Sequence, residues 1–429
     1  MKRLLLCAAA LIASPLSAET IAITGGRIAI GDGSQPIDNG TVLIRDGRIV
    51  AAGSGVAVPA GARRIDAAGK WVSPGLVAGF TRIGIVEVDG VSQTDDSEAD
   101  GSPFSAAIDV APAVNPKAGP IAVNRAEGVT RAVVAPAPGK SIFAGQGAII
   151  DLGADADAVM RPRAFQFMEF GEAGALSSGG SRAAAHVAFR NALMEAQAMA
   201  RGASDDGFER QLTRLDAQAL VPIVNGTVPL LIHVERASDI LRTLELAREF
   251  PKLKLVLVGA SEGWTVAPQI AAAKVPVIAS ALADLPASFE SLAATQSNIG
   301  RLKAAGVNVS IGMINDDEAR QARLIKQYAG NLVGLTRVPG ASGLDWGAAL
   351  ATITSKPAEA VGLGSEIGSL KPGLRADIVV WDGDPLELSS APTLVMIDGV
   401  EQPLENRQTK LRDRFRQAPE GALPKAYEW

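Results

Sequence analysis

Residues 72–82 read Val72-Ser73-Pro74-Gly75-Leu76-Val77-Ala78-Gly79-Phe80-Thr81-Arg82, and the fold turns on what stands on either side of them. Upstream, residues 20–70 read as short strands. Ile21–Ile28 is one, and Thr41–Arg45 and Arg48–Ala52 flank Asp46-Gly47, a two-residue hairpin signal. Far downstream, Asp377–Trp381 is a compact apolar strand, and Leu394–Ile397 runs into a second hairpin signal at Asp398-Gly399. Between these β-rich ends, strands alternate with helical stretches. Val129–Ala135 is a strand. Leu230–His233 is another, followed by Ile240, Leu244 and Ala247 at helical spacing. Leu253–Leu257 precedes a helical Trp264–Ala273, and Val275–Ala279 and Val307–Ile311 are further strands. The alternation predicts parallel βαβ units. Together with the strand ending at Phe80-Thr81-Arg82, six strands are legible. Residues 87–120, rich in Gly, Pro and Asp, read as a long surface insertion, and Gly145-Gln146-Gly147 as a turn.

The stretch Val72–Arg82 resembles the V-x-P-G-x-I/V-D-x-H-x-H segment of the amidohydrolase superfamily, in which the first barrel strand ends in two metal-holding histidines. A second stretch, Thr354–Asp384, reads TSKPAEAVGLGSEIGSLKPGLRADIVVWDGD. It is similar to the N-P-A-x-x-L-G…G-S-L-x-P-G-x-x-A-D-x-V-V-W-D-G-D-P ending of amidohydrolases related to imidazolonepropionase. With residues 41–77 and 229–264, the resemblance covers the chain almost end to end. It implies an α/β fold: a TIM-like (β/α)8 barrel with a small β-sandwich domain formed by both chain ends. The expected organisation is a signal peptide at 1–18, sandwich at 19–75, barrel at 76–365, and sandwich plus tail at 366–429.

The same resemblance locates the site at the C-terminal ends of the barrel strands. The two histidine positions of the first strand are Phe80 and Arg82. Phe has no ligand atom, and Arg has no lone pair to donate. Leu231-Ile232-His233-Val234-Glu235-Arg236 resembles the family's I-H-A-x-R segment, which places His233 at a metal-ligand position. Val258-Gly259-Ala260-Ser261-Glu262-Gly263 matches E-H-G-T-E-G, with Gly259 at the histidine and Glu262 retained. The family's metal-bound Asp, its general base, falls on Ile314, with Asp316 and Asp317 close behind as candidates. The chain has two histidines and one cysteine, Cys7, whereas a catalytic zinc takes three protein ligands and an open position. The expectation is therefore a homologue that has lost most metal-ligand positions, with His233 vestigial and no cofactor, acting as a binding or partner subunit. Its pocket candidates are Phe80, Arg82, His233, Glu235 and Glu262. Arg82 is expected to fill the vacated cation position and pair with Glu235 or Glu262. The alternative is an active hydrolase of non-peptide C–N bonds, of the cyclic amide or acyl amino acid type, using zinc or another divalent metal at an altered site.

Elsewhere the residues read as structural. His186 shares a helix face with Phe189 and Leu193 in an Ala-rich segment. The run Asp95-Asp96-Ser97-Glu98-Ala99-Asp100-Gly101 reads from Asp96 like the start of a calcium loop, but the twelfth position is Ala107. Lys2 and Arg3, the apolar Leu4–Ala13 and Ser17-Ala18 form a secretory signal pattern, so the expected location is periplasmic or secreted. The apolar run is too short to span a bilayer. A net charge of −5 leaves no basic footprint for nucleic acid. The expected partners are a small molecule and either a second copy or an active amidohydrolase homologue.

Overall fold

A computed structural model describes residues 19–202, 210–281, 283–314 and 319–416. The expected leader, Asp316 and Asp317 lie outside the described residues. The strands run in chain order as follows. From the N-terminal end come β1 (Thr20–Ile28), β2 (Ile37–Arg45), β3 (Arg48–Gly53), β4 (Arg63–Asp66) and β5 (Trp71–Pro74). In the middle lie β6 (Leu76–Thr81), β7 (Val129–Val134), β8 (Phe143–Asp151), β9 (Val159–Glu169), β10 (Leu230–Val234), β11 (Leu255–Gly259), β12 (Val277–Ala279) and β13 (Val309–Ile311). The C-terminal end supplies β14 (Ile378–Trp381), β15 (Pro392–Ile397) and β16 (Val400–Glu401).

The two chain ends make one eight-stranded sheet, ordered β16-β15-β14-β5-β1-β2-β3, with β4 alongside β1. Strand β14 lies antiparallel on β5, Ile378 opposite Pro74 and Trp381 opposite Trp71. Ile21, Ile23, Val42 and Ile44 from one end and Ile378, Val380 and Met396 from the other bury one shared core. Both ends supply side chains to this core, and β14 lies between β5 and β15, so removing one end uncovers the other. Truncation after Arg375 is therefore expected to raise amide hydrogen exchange across residues 41–52. Unchanged protection there would mean that the N-terminal strands hold without their partner.

The stretch Val72–Arg82 crosses from this sheet into the second, leaving β5 at Pro74 and entering β6 at Leu76. The second sheet has eight strands in the order β13-β12-β11-β10-β9-β8-β7-β6. Its ends approach each other where Met313 N donates to Phe80 O at 3.1 Å, giving a nearly closed TIM-like barrel with helices packed outside. One strand departs from the all-parallel pattern. Strand β8 is antiparallel to both β7 and β9, and no helix intervenes on either side of it. Gly145-Gln146-Gly147, read as a turn, lies inside β8. A side chain at Gly147 would run into the ring of Phe165 on β9.

Residues alternate along the barrel strands between two apolar layers. Ala132, Ile232, Leu257 and Val277 face the surrounding helices. Phe80, Val133, Phe165, Phe167, Leu231, Val258 and Ile278 fill the interior. The barrel is fastened to the terminal sheet by a buried ionic group. Arg131 of β7 is 1% exposed and donates to both carboxylate oxygens of Asp377, at 2.7 and 2.8 Å. Asp398 and Asp151 lie 3.0 and 3.5 Å from the same guanidinium. Burial opposes the charge on Arg131, but the three carboxylates, Asp377 foremost, outweigh it and raise its pKa. Burial also lifts Asp151 to about 6.

Candidate functional site

Because inward positions recur every second residue on a strand, β9 presents Phe165, Phe167 and then Glu169, and β10 presents Leu231 and then His233. His233 and Glu169 are register partners on adjacent strands. Below them the barrel is plugged with apolar groups. Phe80 is 4% exposed and meets Phe167 edge to face, with ring centroids 5.1 Å apart. Ile314 packs against the same cluster. Above the plug lies a layer of charge.

The centre of that layer is the His233 ring. Its Nδ1 lies 2.6 Å from Glu169 Oε2, and its Nε2 lies 2.9 Å from Glu235 Oε1. The other oxygen of Glu235 accepts from Ser261 N at 2.7 Å. Burial opposes a charge on the ring, but Glu169 and Glu235 overcome it and hold the His233 pKa well above its ordinary value. Glu235 answers in the opposite sense. Burial would raise its pKa, but the contacts with His233 and Ser261 bring it below the usual carboxylate value. The raised pKa favours the imidazolium, which can donate through both nitrogens to the two carboxylates that hold it.

Gly259 explains why Glu235 can reach the ring. It has φ +87, and a Cβ there would collide with Glu235 Oε1 and come within 2.9 Å of His233 Cδ2. The absence of a side chain at the end of β11 therefore makes the room that the Glu235 carboxylate occupies. The collision is with a carboxylate wedged between His233 and a backbone N–H, which cannot swing aside cheaply. Gly259→Ala is expected to cost about 1–3 kcal/mol in unfolding free energy, from strain at positive φ and this overlap. Urea denaturation that leaves the variant level with the parent would remove the steric account of this position.

A second ring of charge surrounds the first. Glu290 is buried, accepts from Glu172 N at 2.8 Å and lies 3.4 Å from Arg182 Nη2. Burial raises its pKa, and the nearby Glu172 charge adds to the shift. Arg182 also reaches Asp239 at 3.0 Å, and Asp239 pairs with Arg236 at 2.7 Å.

Of the residues singled out in the sequence, the fold brings His233 and Glu235 into direct contact, over Phe80. Glu262 is close in the chain but does other work. Its carboxylate accepts from Ala237 N at 2.9 Å, at the start of helix Ala237–Glu249, and from Ala293 N at 3.0 Å. Glu235 holds the His233 ring. Arg82 is half-buried beyond the end of β6, where its carbonyl accepts from Ile85 N and Val86 N. His186 sits half-buried on helix Arg182–Ala200 against Phe170, ring centroids 4.7 Å apart. Asp95 folds its carboxylate back onto Ser97 N and Oγ. Glu169, Arg182, Asp239 and Glu290 were not singled out. Of these only Glu169 left a signal, as the carboxylate that follows Phe165 and Phe167 at a spacing of two.

Residues 231–406 match the amidohydrolase family. A 60-residue stretch is 52% identical to amidohydrolase tasK of Hapsidospora irregularis; the match takes in 14% of this chain and 6% of the length of that curated relative. Among solved structures, an amidohydrolase from Thermotoga maritima MSB8 superposes with a TM-score of 0.77 and 25% identity, over 89% of this chain and 99% of that one. Molinate hydrolase shares the fold at a TM-score of 0.51 and 20% identity, over 96% and 98% of the two chains. These findings support the amidohydrolase superfamily for this chain. Among the described residues, no helix is long and apolar enough to cross a membrane.

Proposed function

We propose that this chain, with its fold of the amidohydrolase superfamily, works by binding a small molecule or a partner chain and not by metal-assisted hydrolysis. The observation that carries the reading is the His233 ring, both of whose nitrogens are hydrogen-bonded to carboxylates. A metal ligand must offer a lone pair, so an ion here would have to displace one of these carboxylates, and the proton it shares, from the ring. The other positions that the family uses add no donor. Phe80 fills the barrel, Gly259 has no side chain, and Ile314 is apolar. Among the described residues no three side chains of His, Cys, Asp or Glu are arranged to hold an ion. Among the described residues the donor set does not fit the superfamily's metal, so no catalytic step is routed through one. The family text at Thr354–Asp384 further suggests descent from imidazolonepropionase-like amidohydrolases, with the catalytic residues replaced by a salt-linked His–carboxylate layer. The residue 1–18 pattern supports a periplasmic or secreted location, to be tested by N-terminal sequencing of the chain recovered from that fraction.

A second reading is kept alive by the match of residues 231–406 to the amidohydrolase family and by the hydrolases that share the fold. It is an active hydrolase of non-peptide C–N bonds, in which His233 would serve as a proton donor and a neighbouring carboxylate as base. One experiment separates the two. The purified chain is loaded with zinc or manganese, desalted, and assayed for metal content and for hydrolysis of acyl amino acids and cyclic amides. The binding reading expects substoichiometric metal and no turnover that depends on His233. One tightly held ion per chain, lost in His233→Ala, would overturn it. Turnover abolished in His233→Ala without metal would favour the hydrolase.

A further inference from the structure

The reversal of β8 has a consequence on the outside of the barrel. With no crossover helix on either side of it, the outer face of β8 and β9 is covered by helix Arg214–Val224 and by a segment that bridges Asp109 to Gln146. Between helix and strands lies a cleft of about 580 Å³, within the usual range for small-molecule sites. Its lining combines apolar Leu215, Pro222 and Val228 with Gln146, Gln166 and Arg163.

Two of these residues are unusual. Gln166, on β9, is 1% exposed, and neither its amide nitrogen nor its amide oxygen has a hydrogen-bond partner. Buried polar groups are nearly always paired, because an unpaired one forfeits its hydration without compensation. Its cross-strand neighbour Gln146 is satisfied, donating to Ala107 O at 3.2 Å. Arg163 holds a left-handed backbone at φ +48, opposite a register shift in β8. A non-glycine residue held there stores strain. Its guanidinium is mostly exposed and meets Asp109 only at 3.7 Å.

We propose that this cleft is a second ligand site, separate from the barrel mouth, for a compact molecule carrying an amide and a carboxylate. Gln166 offers a donor and an acceptor side by side. The matching group presents an acceptor and a donor side by side, as a lactam or a primary amide does. Arg163 supplies the planar fork that suits a carboxylate, and Leu215, Pro222 and Val228 take the carbon frame. Reaching the Gln166 amide requires the wall to part, and half-exposed Leu215 on the rim is the side chain to swing.

The test uses the full chain and two probes, pyroglutamate and succinamate, followed by calorimetry. Saturable binding of at least one is expected. Cyclopentanecarboxylate, which keeps the acid but lacks the amide, should bind at least about tenfold more weakly, and Gln166→Met should lose a similar factor. Arg163→Gln should weaken binding and reduce its salt dependence. Gln166 and Arg163 both line the outer cleft, so their effects separate this site from any reading of the barrel mouth. No saturable heat with either probe at millimolar concentration overturns the proposal. So does equal affinity in Gln166→Met, or equal affinity for cyclopentanecarboxylate. A Gln166→Met variant that melts higher and binds neither probe would mark the amide as an unpaired group only, and overturns it as well.

Discussion

Arg131→Met is expected to lower the free energy of unfolding by about 3–5 kcal/mol, the usual cost of breaking a buried ion pair from one side. The reason lies in what is left behind. Asp377 is 4% exposed, and its two oxygens accept from the guanidinium at 2.7 and 2.8 Å. Without Arg131, a buried carboxylate keeps, among the described residues, the backbone N–H of Asp398 at 3.0 Å, with two further carboxylates close by. Because Arg131 belongs to the barrel and Asp377 leads into β14 of the terminal sheet, the loss falls on the joint between the two sheets. The double variant Arg131→Met with Asp377→Asn should recover a substantial part of it, since the stranded charge has gone. Urea denaturation of the two variants beside the parent gives the comparison. A single variant within about 1 kcal/mol of the parent, the worth of an exposed pair, would show that water reaches Asp377 and that the joint is held by apolar packing alone.

That joint also shows what the sequence could and could not convey. The hairpins at Asp46-Gly47 and Asp398-Gly399 were legible because their positive φ values restrict the residues that can stand there. Strands β10 to β13 were legible as short apolar runs between helical stretches. Strands β8 and β9 were not, for two physical reasons. Gly145 and Gly147 imitate a turn, although Gly147 is required by the ring of Phe165 that lies where its side chain would be. Pro162, between Arg161 and Arg163, argues against a strand, but it sits at a register shift where the ladder is already interrupted. With β9 unread, its alternation was unread as well, and Glu169 stayed hidden. Motif comparison found His233 and Glu235, but only the register of β9 against β10 supplies the second carboxylate on the ring. Glu290 and Arg182 lie off the barrel strands, one in a loop and the other opening a helix, and no spacing announces that they meet.

The His233 ring should contribute to stability in a way that depends on pH, with a sign fixed by its surroundings. Its folded pKa is raised above the ordinary value of 6.5 by Glu169 and Glu235 against the opposing effect of burial. A group of this kind contributes fully below its unfolded pKa and loses that contribution as pH rises through the folded one. Glu235 is the opposite case. Its folded pKa lies below 4.5, so its contribution is present above that value and fades as pH falls through the lowered one. The window in which both act begins above the ordinary carboxylate range and closes on the alkaline side. Inside it, at about pH 6, His233→Ala should cost about 3–5 kcal/mol, because Glu169 and Glu235 are left facing each other without a cation. At alkaline pH, where the parent ring has itself lost its proton, the difference between parent and variant should shrink. Adding Glu169→Gln to His233→Ala should relieve part of the loss at about pH 6 by removing one of the two facing charges. Urea denaturation of the three chains across that range is the measurement. A His233→Ala penalty that stays the same from about pH 6 into the alkaline range would mean that the ring is neutral in the folded chain. One nitrogen would then be free of its proton, and an ion would have no proton to displace from the ring.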